Sequence, residues 1–182
     1  MKALVTGANG FTGSHLVRHL IAQGNGVVGL VRRTSDLSRL ANLDVQLVYG
    51  DITDTDALHQ SMADVDVVFH TAACVDLGIV DAARMERVNV EGTRTVLGAI
   101  RAQPTPPKLV YCSTIGIYGD TAGKVIDETY QRTQKGFSSA YDETKFNAQQ
   151  LVNQHVADGF TAVSMMPGGI FGADDPHFGP VI

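Results

Sequence analysis

The chain has 182 residues, the size of one domain and enough to bury roughly 70% of its unfolded surface without disulfide or metal staples. At 44% hydrophobic and 18% charged it is neither a disordered chain nor a charged-helix architecture. The net charge of −5 speaks against a nucleic-acid groove, no apolar run approaches the ~20 residues of a membrane helix, and the run after Lys2 reaches Gly7 too soon for a secretory signal, so the expected location is cytoplasmic.

In chain order, Lys2–Thr6 predicts a buried strand. Residues 11–23 carry Phe11, Leu16, Val17, Leu20 and Ile21 at helical spacing and stop at Gly24. Residues 27–31 and 45–49 predict the second and third strands, and residues 54–63 a helix. Residues 65–70 predict a fourth strand, and 82–102 a long helix closed by Pro104, Pro106 and Pro107. A fifth strand spans 108–113. A helix follows over 141–157, with Gly159 placed for a left-handed cap, and a sixth strand spans 161–165 before Pro167. The Met165-Met166 pair reads as strand core, and residues 119–139 as the most flexible stretch. The strands are apolar on both faces rather than alternating, which belongs to parallel sheets covered by helices. The expected fold is a doubly wound α/β sheet with helices on both faces. Cys74 and Cys112 are too few for a disulfide framework, lack metal-ligand spacing and read as buried thiols.

Gly7, Gly10 and Gly13 form GxxGxxG between the first strand and first helix. One glycine permits a tight turn, one lets the backbone approach a pyrophosphate, and one lets the helix pack closely on the sheet. The helix N-terminus then offers unpaired N–H groups to phosphates. Among 19 glycines the pattern alone also fits an ordinary strand–helix turn; its place at the first junction favours dinucleotide binding. The second strand ends in Val31-Arg32-Arg33, with no acid until Asp36. An acid there would hold the ribose hydroxyl of NAD, whereas arginine accommodates the 2′-phosphate of NADP. NADP is the expected cofactor, with NAD the alternative and a solvated pair of arginines the plainer reading.

Tyr141 and Lys145 form YxxxK, and on a helix positions four apart share a face. A free phenol titrates near pH 10, and bringing it near neutrality takes roughly 3–4 kcal/mol of differential stabilisation. Lys145, together with an oxidised nicotinamide, is expected to supply it. The alternative is a surface Tyr–Lys contact. Ser113 and Thr114 close the fifth strand, where a hydroxyl can reach substrate beyond the sheet's carboxyl edge or merely bond its own backbone. His70 reads as a structural histidine. Asp174, Asp175 and His177 lack metal-ligand spacing, and no metal site is expected.

With the YxxxK pair, the glycine turn resembles the extended short-chain dehydrogenase/reductase superfamily of nicotinamide-dependent epimerases, dehydratases and reductases. The resemblance rests on TGANGFTGSHL at 6–16, GDITD at 50–54, VFHTAA at 68–73, VNVEGT at 88–93, STIGIYG at 113–119 and PGGIFG at 167–172. It implies a Rossmann fold whose cofactor is held by Gly7, Gly10, Phe11, Gly13, Arg32, Arg33, Asp51, Ile52, Ala72, Lys145 and Pro167. Asp51 would approach the adenine amino group, Ile52 would line its pocket, and Lys145 would bond the nicotinamide ribose. Asn89 would be structural. Thr114, Tyr141 and Lys145 would form the catalytic set. Met166 stands where the family usually has arginine, and since relatives continue into a substrate lobe, the chain is expected to be truncated after Ile182. The whole chain then reads as the nicotinamide-binding domain.

The implied function is hydride transfer between nicotinamide and a carbonyl or alcohol, as in dihydroflavonol-type reductases. The alternatives are a nucleotide-sugar epimerase or dehydratase with tightly bound NAD, and a dinucleotide-binding domain without chemistry. The expected partner is a small-molecule substrate, with homodimerisation through the two long helices by analogy.

Overall fold

The computed structural model describes residues 1–75 and 81–175. Six parallel strands form one sheet in the order β3-β2-β1-β4-β5-β6. They are β1 (Lys2–Thr6), β2 (Gly26–Val31), β3 (Gln46–Tyr49), β4 (Val67–His70), β5 (Lys108–Cys112) and β6 (Ala162–Met165). Leu4 of β1 lies opposite Val28 on one side and Val68 on the other. The winding reverses between β1 and β4, and this switch point opens a crevice at the carboxyl ends of the strands.

The helices are α1 (Phe11–Ala22), α2 (Thr55–Ser61), α3 (Ala82–Met85), α4 (Gly92–Arg101) and α5 (Ala140–Ala157). On one face Leu4, Val68, Leu109 and Tyr111 pack with Leu58 of α2, Ile100 of α4 and Val152 of α5. On the other, Ala3, Val5 and Val27 pack with Val17 and Leu20 of α1. Burial from both sides explains the unbroken apolar runs, and each buried Leu or Val contributes roughly 1.5–3 kcal/mol. The fold is the expected doubly wound sheet. α5 starts where Ser139 accepts from the Asp142 N–H at 3.1 Å, which puts Tyr141 in its first turn. Gly159, at φ +93, follows its end.

Three expectations differ. The predicted helix over 82–102 is interrupted by a π-helical turn at Glu86–Glu91. Inside that turn Asn89 bonds both the N–H and the carbonyl of Cys74, at 2.7 and 3.0 Å. One extra residue per turn leaves no mark on apolar spacing. Met165 is 56% exposed rather than core. It stands on the edge strand, on the sheet face that α1 covers only over β1 and β2. Cys74 is buried as expected, while Cys112 is only half-buried. Residues 119–139 form no strand or α-helix, but Arg132 reaches out of them to α5, 5.8 Å over the Phe146 ring. No described helix is long and apolar enough to cross a membrane.

Candidate active site

β1 delivers the chain into Gly7, whose φ of +70 is a state L side chains rarely adopt. A Cβ there would also meet the backbone N and Cα of Ala72 at 2.9 Å. The Gly10 N–H donates to the Gly7 carbonyl at 2.9 Å, and a Cβ on Gly13 would collide with that same carbonyl. Turn and helix therefore fit only if Gly7 and Gly13 carry no side chain. The N-terminus of α1 has no side-chain cap and no acid in its first turn. Its bare N–H groups and positive dipole end suit an anion.

This turn borders a cleft of about 250 Å³. Gly7, Gly10, Arg32, Asp51, Ile52 and Ala72 line it, as expected from the sequence. Asp51 is held in place because one carboxylate oxygen accepts from the Thr53 N–H and hydroxyl, at 3.2 and 2.9 Å. Other expected cofactor residues lie elsewhere. Arg33 sits 5.8 Å over the Tyr49 ring, outside the lining. Phe11 turns its ring edge to His15 at 5.2 Å, with Arg39 at 5.9 Å. Pro167 lines a second, apolar groove of about 520 Å³ with Thr12, Phe69, Val110 and Met165, and Thr71 lines both spaces. The sequence did not single out Asn9, Ser35 and Arg84, which also line the cleft. Asn9 lies inside the glycine motif and could have been read from it. Arg84 enters from a four-residue helix and has no local signature.

The side-chain-free turn and the uncapped, acid-free start of α1 fit the phosphates of a nicotinamide dinucleotide.

The second cluster gathers at the end of β5. Lys145 is 2% exposed; its ammonium donates to the Cys112 carbonyl at 2.6 Å and lies 4.4 Å from the centre of the Tyr111 ring. Burial pulls its pKa down to about 8, against the opposing pull of Cys112. Tyr141 moves the other way from expectation. Burial first, then the charges of Cys112 and Asp142, push its phenol up to about 12. Desolvation of the phenolate is the dominant cause. The Thr114 hydroxyl accepts the Gly116 N–H at 3.2 Å and caps the 3-10 turn Ile115–Tyr118. The backbone-bonding reading of this hydroxyl thus holds on its acceptor side, and its proton remains available to donate. Gly116 also packs against the Asp142 carboxylate, which brings the Thr114 loop onto the first turn of α5. Ser113 is 2% exposed, and its hydroxyl has no hydrogen-bond partner among the described residues. The trio lines neither cavity. Asp174 lies near Arg39, which donates to its carbonyl at 2.7 Å; His177 is outside the described residues.

Known proteins resemble this chain in sequence and fold. The sequence profile of the NAD dependent epimerase/dehydratase family matches residues 3–180. The chain belongs to that family. Among epimerase/dehydratase relatives, it is 36% identical to a 4-hydroxy-2-methyl-3-oxo-4-farnesyl-3,4-dihydroquinoline-1-oxide ketoreductase of Stigmatella aurantiaca, over 99% of this chain and 53% of that protein. It is 34% identical to a 3-beta-hydroxysteroid dehydrogenase of Mycolicibacterium neoaurum, over 96% of this chain and 49% of the other. The Thermus thermophilus UDP-glucose 4-epimerase, solved with NAD, superposes with a TM-score of 0.84 at 29% identity, over 97% of this chain and 58% of that one. The chain spans about half the length of the curated relatives it matches.

Proposed function

We propose that this chain is the nicotinamide-binding domain of an NADP-dependent oxidoreductase of the extended short-chain type, reducing a carbonyl with Tyr141 as proton donor. The observation that carries the reading is the uncapped, acid-free start of α1 behind the glycine turn, with Arg32 on the same cleft. Gly7, Gly10 and Gly13 give the pyrophosphate an unobstructed backbone. Asp51 and Ile52 take the adenine, Arg32 the 2′-phosphate, and Ala72 borders the ring end. Lys145 holds the nicotinamide ribose. When bound, the dinucleotide supplies the hydride.

The chain's own residues manage the proton. Burial keeps Tyr141 protonated at neutral pH, the form a reduction needs. Thr114 donates its remaining hydroxyl proton to the substrate oxygen and orients it beside the phenol. Tyr141 then passes its proton to that oxygen, and the nearby Lys145 ammonium favours the phenolate left behind. The likeness to a ketoreductase and a hydroxysteroid dehydrogenase supports carbonyl chemistry. Tyr141→Phe is expected to lower NADPH-dependent turnover on a ketone panel by about 10²–10⁴-fold with NADPH affinity intact. Unchanged turnover overturns this role.

A second reading is a nucleotide-sugar epimerase or dehydratase, favoured by the close superposition on the UDP-glucose 4-epimerase. Co-purifying NAD(H), without net consumption of added cofactor, would select it.

A further inference from the structure

One buried histidine is left without a role by the proposed chemistry, and its surroundings assign it one. His70 ends β4 and is 1% exposed. Thr6, the last residue before the glycine turn, places its hydroxyl 2.8 Å from His70 Nδ1. Thr93 of α4 places its hydroxyl 3.0 Å from His70 Nε2. The direction of every bond follows from counting protons. Thr93 commits its single hydroxyl proton to the Asn89 carbonyl at 2.6 Å, so towards the ring it can only accept. Nε2 therefore carries the ring proton. Deep burial keeps the ring neutral and draws its pKa down to about 3, with the charge of Lys145 acting in the same sense. Nδ1 is then the acceptor, and the Thr6 hydroxyl donates to it. The same Thr6 oxygen accepts the Ala72 N–H at 3.3 Å.

These bonds run one way, from Ala72 through Thr6, His70 and Thr93 to the Asn89 carbonyl. A chain ending on a backbone carbonyl has nowhere to deliver a proton, so it is a brace and not a proton wire. Its two ends matter. At one, Ala72 lies against Gly7, and the Thr71 hydroxyl adds a bond to the Thr6 carbonyl at 2.7 Å. At the other, the Asn89 amide donates to the Thr144 hydroxyl at 3.0 Å, and Thr144 donates to the Tyr141 carbonyl at 3.0 Å.

We propose that His70 is a positioning residue whose single Nε2–H tautomer sets the glycine turn at a defined spacing from the helix turn that carries Tyr141. Where it concerns the cofactor, this rests on the dinucleotide reading above; the tautomer itself does not. The groups that face the ring are the hydroxyls of Thr6 and Thr93, the Tyr111 ring at 5.5 Å, and Lys145.

The test uses the full chain and two independent measurements. Imidazole ¹⁵N spectra from pH 4.5 to 9 are expected to show His70 as one Nε2–H tautomer with no titration. In Thr93→Val the ring proton loses its acceptor, and the spectra are expected to show mixed tautomers. Binding is read with NADPH and with adenosine 2′-monophosphate, which reaches only the adenine and Arg32 end. Thr93→Val is expected to weaken NADPH about tenfold and leave the nucleotide unchanged, and Thr93→Ser to restore both measurements. A wild-type ring that titrates, an Nδ1–H tautomer, equal weakening of both ligands, or no rescue by serine overturns the proposal. If the wild type binds neither ligand, the cofactor reading falls instead, and the spectra of wild type and Thr93→Val alone decide whether the brace exists.

Discussion

The two halves of the sheet are built to different standards of coverage. Around β1 and β2 both faces are sealed: Leu4 and Val28 point into one core, Ala3, Val5 and Val27 into the other, all of them nearly inaccessible. Around β5 and β6 only one face is sealed. Leu109 and Tyr111 are buried beneath α4 and α5, while Val163 and Met165 on the opposite face are 55% and 56% exposed. The sealed half carries the glycine turn, and the half-open one carries Thr114 and packs against α5. A turn that lets its backbone approach a pyrophosphate must itself be held in place, which burial on both faces supplies. The apolar groove beside Pro167 and Met165 runs between Thr12 and Leu16 of α1 and the strand residues Phe69, Val110 and Met165.

Breaking the sealed half should have the largest effect. Gly13→Val drives a side chain into the Gly7 carbonyl and is expected to weaken NADPH more than about 100-fold, with a stability loss of roughly 1–3 kcal/mol, read by fluorescence titration and urea unfolding. Next comes the cofactor lip. Arg32→Ala is expected to cost NADPH roughly tenfold or more and leave NADH unchanged, whereas Arg33→Ala, stacked on Tyr49, changes neither by more than a few-fold. Equal losses for both dinucleotides would refute the NADP preference.

Two buried bases sharpen the comparison through pH. Lys145 has a folded pKa of about 8 against 10.5 when unfolded, so between those values the unfolded chain binds more protons and stability rises with pH. Lys145→Met should flatten that rise in urea midpoints. His70 has a folded pKa of about 3 against 6.5, so its contribution to stability is lost as pH falls from 6.5 towards 3. The smallest effect belongs to the open half. Val163→Lys is expected to shift stability by no more than about 0.5 kcal/mol, while Val17→Ala under the sealed half costs several times that.

Much of this was legible beforehand because it is local or periodic. The six strands, the glycine turn and the cap at Gly159 depend on neighbouring residues, and the family motifs lie in sequence order. Arg84 and the π-helical turn were not legible. Arg84 reaches the cleft from a distant short helix, and the turn exists around a side-chain bond from Asn89 to Cys74 that spacing does not encode. The exposure of Met165 has no sequence signal, because an apolar edge strand looks the same as a central one until its neighbours are known.

By itself the amino-acid sequence determined the order of elements, the parallel sheet and the place of the glycine turn, since hydrophobic period and backbone freedom act over a few residues. Only the tertiary structure decided the direction of Tyr141's acidity, the stacking of Arg33 on Tyr49 and the brace through His70. Desolvation and hydrogen-bond direction are set by groups brought together from strands and helices tens of residues apart.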